Sequence, residues 1–118
     1  MTKHLTVKTF GTGPSRFIAL HGWGGSHATF SPLIPHIPES TTLDAIDLPG
    51  FGTSKQPDVW KIDRIAEMVV ESIQFKGEYT VVGNCTGGVI GAELALMRPK
   101  SVHRLIMIDP FAFAPWYF

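Results

Sequence analysis

The chain has a single cysteine, Cys85, among 118 residues. It therefore has no internal disulfide, and the fold must rest on core packing alone. A lone free thiol suits a reducing compartment, so a cytoplasmic location is expected. No charge of one sign dominates: ten Lys and Arg balance ten Asp and Glu. That balance argues against nucleic acid or an anionic membrane surface as the main partner. Long apolar runs are missing too. Met1 to Thr6 lacks the apolar core of a signal peptide. The most apolar stretch, Thr80 to Met97, is broken by glycines and Glu93, which excludes a membrane span. No helix carries paired histidines and no Cys/His cluster is present, so no metal is expected. No phosphate loop ending in Gly-Lys-Ser/Thr and no dinucleotide fingerprint occurs, so no cofactor is expected.

What remains is the composition of a packed globular domain, 44% hydrophobic and only 17% charged. Leu5 to Phe10 alternates apolar and polar residues like a half-buried strand, and Gly11-Thr12-Gly13-Pro14 turns the chain. Phe17 to Leu20 reads as a strand buried on both faces. Ser26 is the expected N-cap of a short helix limited by Pro32 and Pro35. Thr42 to Leu48 reads as the next strand. Asp58 is the expected cap of a helix whose apolar positions Ile62, Ile65, Ala66, Val69 and Ile73 keep the helical period, with Gly77 ending it. Tyr79 to Val82 predicts a strand, Val89 to Arg98 a helix apolar nearly all round, and Val102 to Ile108 a final strand. Strands alternating with helices imply βαβ units and a mostly parallel sheet with flanking helices, an α/β fold.

The motif that carries chemistry is Gly83-Asn84-Cys85-Thr86-Gly87-Gly88, between a predicted strand and a predicted helix. Such a turn presents its central side chain at the top of a sheet. Its flanks must be nearly bare, because strand and helix backbones pass closely there. The helix N-terminus favours negative charge on the sulfur. Taken alone, the pattern fits a small buried cysteine equally well. Two further loops follow strands in the expected order: His21-Gly22-Trp23-Gly24-Gly25, and Asp47-Leu48-Pro49-Gly50-Phe51-Gly52-Thr53-Ser54. Acyl transfer needs two N–H donors for a developing oxyanion. The backbone of Trp23 and that of Thr86 are the candidates.

Together these stretches resemble the α/β-hydrolase family of esterases, lipases, C–C bond hydrolases, dehalogenases and acyltransferases. Phe17 to Ser26 is similar to its oxyanion loop, Gly83 to Gly88 to its nucleophile elbow, and Leu105 to Pro110 to its next core strand. The resemblance implies that residues 1–118 are the N-terminal half of such a domain, lacking the cap and the last strands. It also implies a small-molecule acyl substrate: an ester, thioester or lactone attacked by Cys85, with hydrolysis or acyl transfer as the outcome. Most family members have serine at the elbow; dienelactone hydrolases and polyhydroxyalkanoate synthases have cysteine.

No histidine stands where the family's base would. His21 is expected to order the oxyanion loop, and His103 to lie at the wrong end of its strand. His4 and His36 read as surface residues, whereas His27 lies close enough to the loop to touch substrate. Asp109 ends the strand after the nucleophile's helix, where a minority of the family places its acid; its plainer reading is a cap or a turn. Phe111, Phe113, Trp116, Tyr117 and Phe118 are expected to pack against absent structure. The chain alone should then lack steady turnover, and its open last strand should invite self-association or a complementing chain. The competing reading is a non-catalytic remnant or partner-binding module of the same fold.

Overall fold

The computed structural model describes residues 5–110. Five strands form one sheet in the order β1-β3-β2-β4-β5. They are β1 (Val7–Gly11), β2 (Ser15–Leu20), β3 (Thr41–Ile46), β4 (Tyr79–Asn84) and β5 (Val102–Ile108). β1 runs antiparallel to β3, and every other pairing is parallel. The alternation of strand and crossover is the cause, since parallel neighbours need a connection long enough to return.

Two helices, α1 (Ile62–Ser72) and α2 (Thr86–Met97), cover one face. Ile18, Leu20, Ile46 and Val81 point to that face and meet Ile65, Val69, Ile90 and Leu94 in one buried cluster. Each such side chain contributes about 1.5–3 kcal/mol on leaving water. The opposite face of β2 and β3 carries Ala19, Leu43 and Ala45, closed by Phe30. Phe30 belongs to a 3₁₀ segment, His27–His36. Ser26 caps that segment as expected: its hydroxyl accepts from the Ala28 amide at 3.1 Å. Its two internal prolines keep it in short turns instead of a continuous α-helix.

Strand ends shift by one or two residues: β1 starts at Val7, not Leu5, β3 ends at Ile46, not Leu48, and β4 runs on to Asn84. The structure also corrects three expected helix boundaries. Lys61, not Asp58, occupies the N-cap of α1, and makes no side-chain cap bond. Asp58 instead accepts from its neighbour Val59 N–H at 3.0 Å and from Arg64 Nε at 2.8 Å. α1 also ends at Ser72, five residues before Gly77, because Ile73 turns extended and packs against the core. α2 begins at Thr86, three residues earlier than expected. Glycine propensity disfavours Gly87 and Gly88 in a helix, yet packing demands the first of them there. A Cβ at Gly87 would collide with the Leu20 carbonyl, and one at Gly83 with the Gly87 carbonyl. Among the described residues α2 packs on both the sheet and α1, and only Leu96, 77% exposed, stands clear. No described helix is long and apolar enough to cross a membrane.

Candidate active site

The carboxyl ends of the parallel strands β2, β3, β4 and β5 gather the three loops and Asp109 at one end of the sheet, where open α/β sheets place their sites. At the end of β4 the chain reverses sharply into α2. Cys85 occupies the turn with φ 56° and ψ −118°, a backbone conformation that L-residues rarely adopt. Its amide donates to the Ile108 carbonyl at 2.9 Å, tying the turn to β5. The thiol is half-buried. As the first residue of α2, Thr86 has an amide without a partner inside the helix.

The loop after β2 lies directly against this turn. A Cβ added to Gly22 would stand 3.0 Å from Cys85 Cβ and 3.8 Å from its sulfur. An added Cβ would crowd the turn, with the Asn84 carbonyl oxygen also 3.3 Å away, and Trp23 follows Gly22. The loop is held from below by His21, which is fully buried. Leu48 N–H donates to His21 Nε2 at 2.9 Å, so that nitrogen carries no proton. Nδ1 therefore holds it and donates to the Gly22 carbonyl at 2.6 Å. Burial keeps the imidazole below its ordinary pKa, against the opposing pull of the Gly22 carbonyl and Asp47. His21 is thus a neutral strut joining the β2 and β3 loops.

Asp47 anchors the other side. It is fully buried. Burial works against its charge, but hydrogen bonds outweigh it: the His27 amide at 2.6 Å, His27 Nδ1 at 2.9 Å and the Thr53 amide at 3.1 Å hold its carboxyl below the ordinary value. Gly52, at φ 55°, gives the carboxylate room, since a Cβ there would strike it.

Of the residues singled out in the sequence, Cys85, Trp23, Thr86 and Asp109 lie on adjoining strand ends. Asp109 follows the residue that binds the Cys85 amide, and is exposed at φ 45°. His27 is engaged by Asp47. His103, at the start of β5, lies 3.8 Å from Glu78 at the far end of the sheet. His36 is exposed at the end of the 3₁₀ segment. His4 and the aromatic tail from Phe111 to Phe118 lie outside the described residues. Among the described residues no cluster of His, Cys, Asp and Glu could hold a metal ion. Sequence reasoning missed Asp47 as an anchor. It also missed a ring cluster of Trp23, Phe51 and Trp60, for which the only signal was the proximity of aromatics to Gly50 and Gly52.

Similarity to known proteins agrees with this fold. The chain is 32% identical over 109 residues to a pimeloyl-[acyl-carrier protein] methyl ester esterase of Pseudoalteromonas atlantica, covering 89% of this chain and 41% of that protein. It is 31% identical to a serine hydrolase-like protein of Danio rerio, covering 87% of this chain and 34% of the relative. The chain thus spans roughly two fifths or less of the length of these relatives. Among solved structures, an N-acyl homoserine lactonase crystallised with N-butanoyl homoserine superposes with a TM-score of 0.79 at 26% identity, covering 88% of this chain and 40% of that one. A marine microorganism esterase superposes with a TM-score of 0.83 at 23% identity, covering 89% and 41%, a likeness of fold alone. With residues 16–118 matching the family model of the alpha/beta hydrolase fold, the chain belongs to that family.

Proposed function

We propose that Cys85 is the nucleophile of a hydrolase or acyltransferase acting on an ester, thioester or lactone. The thiolate attacks the carbonyl, an S–C bond forms, and the alcohol or thiol leaving group departs with a proton. The resulting acyl-cysteine is a thioester, from which water, an alcohol or an amine takes the acyl group and frees the sulfur. The amides of Trp23 and Thr86 are the proposed oxyanion donors, with the positive end of α2 adding its field. Asp109 is the proposed carboxylate for orienting a base from sequence outside the described residues. The reading rests on one observation: Cys85 sits at positive φ between Gly83 and Gly87, with Gly22 pressed against it. The methyl ester esterases among the relatives support the ester class. A cytoplasmic location belongs to the same proposal, from the lone thiol.

A burst experiment with a nitrophenyl ester tests it. One equivalent of nitrophenolate and a matching acyl mass on Cys85, without later turnover, is the expected result, because none of the described histidines is placed to activate water. No acylation, or acylation that survives Cys85→Ala, would refute the nucleophile. The apolar edge of β5, with Ile106, Met107 and Ile108 each at least 40% exposed, favours a second reading. In it the chain is a binding module assembling through that edge with another copy or a complementing polypeptide.

A further inference from the structure

The ring cluster beside Cys85 has no part in the chemistry above. Trp23 and Phe51 meet edge to face with centroids 4.7 Å apart, and Trp23 meets Trp60 the same way at 5.5 Å. Phe51 in turn abuts buried His21 at 5.7 Å, so the cluster stands on the strut that fixes the oxyanion loop. Trp60 is seated over Gly50, where a Cβ would come within 2.5 Å of its ring. Despite this anchoring, Trp23 is 59% and Trp60 50% exposed. Two large apolar rings thus rest on partly buried neighbours with their surfaces open to solvent. Exposed aromatics of this kind mark binding surfaces more often than scattered apolar residues do.

Their position supplies the occupant. Trp23 directly follows Gly22, which touches Cys85. An acyl group on that sulfur, with its oxygen at the proposed Trp23 amide donor, comes up against the residue that carries the Trp23 ring. From the Trp23 ring the contacts continue to Trp60, which also faces Phe51 with centroids 6.5 Å apart. We propose that Trp60, together with Trp23 and Phe51, forms the shelf that receives the apolar acyl chain, making Trp60 a specificity-determining residue. This inference rests on the reading of Cys85 as the nucleophile and adds the class of acyl group selected: apolar in preference to short or polar.

The test uses thiol reagents that need no base. The ratio of Cys85 alkylation rates with N-hexyl and N-methyl iodoacetamide should exceed unity by about tenfold, the lower end of what one or two methylenes earn in an apolar site. The ratio should collapse toward one in Trp60→Ala, recover in part in Trp60→Phe, and persist in Leu96→Ala at the exposed far end of α2. A ratio near one in the parent chain, or one indifferent to Trp60→Ala in a folded sample, overturns the shelf while leaving the nucleophile standing. If neither reagent labels Cys85 in folded chain, the nucleophile reading is what fails. The shelf is then judged by the indole N–H resonances of Trp23 and Trp60 during titration with N-hexylacetamide. Shifts uphold it and their absence overturns it. Shifts that follow chain concentration instead would show a second copy on the rings, and would also overturn it.

Discussion

The amide of Leu48 donates to the imidazole of His21 across 2.9 Å, joining the loops at the ends of two neighbouring strands through one buried side chain. Because Nε2 accepts and Nδ1 donates, only the neutral ring satisfies both bonds.

Replacing His21 by Ala should therefore cost about 2–4 kcal/mol, since it leaves a cavity and two polar backbone groups without their partner. The pH dependence has a definite sign. The folded pKa of His21 lies below 6.5, so the unfolded chain binds the proton first, and stability falls as pH drops below 6.5 toward the folded value. The gap in urea midpoint between parent and His21→Ala should be full above pH 7 and shrink toward pH 5. A gap that widens on acidification would contradict the neutral strut.

Asp47 titrates lower. Its folded pKa lies below 3.8, so its contribution is present above 3.8 and is lost as pH falls through the folded value. Asp47→Ala removes the acceptor for the His27 and Thr53 amides. A loss of about 3 kcal/mol is expected at pH 7, with Asp47→Asn less damaging because one oxygen remains. Equal melting temperatures for parent and Asp47→Ala would remove the anchor.

Cys85 should alkylate with iodoacetamide at neutral pH faster in folded chain than in a urea-denatured control. Cys85→Ser should change stability by less than about 1.5 kcal/mol, because the side chain is only partly buried. An inert thiol together with a severely destabilised serine variant would mean that the sulfur serves only the core.

Gly83→Val and Gly87→Val should each cost more than about 4 kcal/mol, since the added atoms meet backbone that cannot retreat. Gly24→Ala offers the contrast. No atom lies within 4 Å of its added Cβ, and only the φ of 85° opposes it, for about 1–2 kcal/mol. Thermal melts rank the three, and the glycine turn loses its rationale if the valine variants melt with the parent.

The outer edge of β5 should drive association. Ile106→Lys and Met107→Lys place charge on an apolar edge, and sedimentation should show a smaller species than the parent forms at equal concentration. A monomeric parent would remove self-association from the account.

Local chemistry determined much of this protein within the sequence itself. Period-two alternation marked β1, and a short apolar run bounded by turn residues marked β2, because both patterns follow from how an extended backbone exposes its two faces. Glycine on both sides of Cys85 marked the turn, because no other residue tolerates so close a crossing. Tertiary structure decided what depends on distant partners. Asp58 lost the cap of α1 to Lys61 because Arg64 draws its carboxylate away. α2 starts at Thr86 against glycine's own preference, since only there do Gly87 and Gly83 let the helix settle on β2 and β4. Asp47 and His27, twenty residues apart, carried no mark of their pairing. Nor did Trp23 and Trp60, which come together only because the sheet brings the ends of β2 and β3 side by side. Such contacts depend on the summed geometry of strands and crossovers, which no local window of sequence contains.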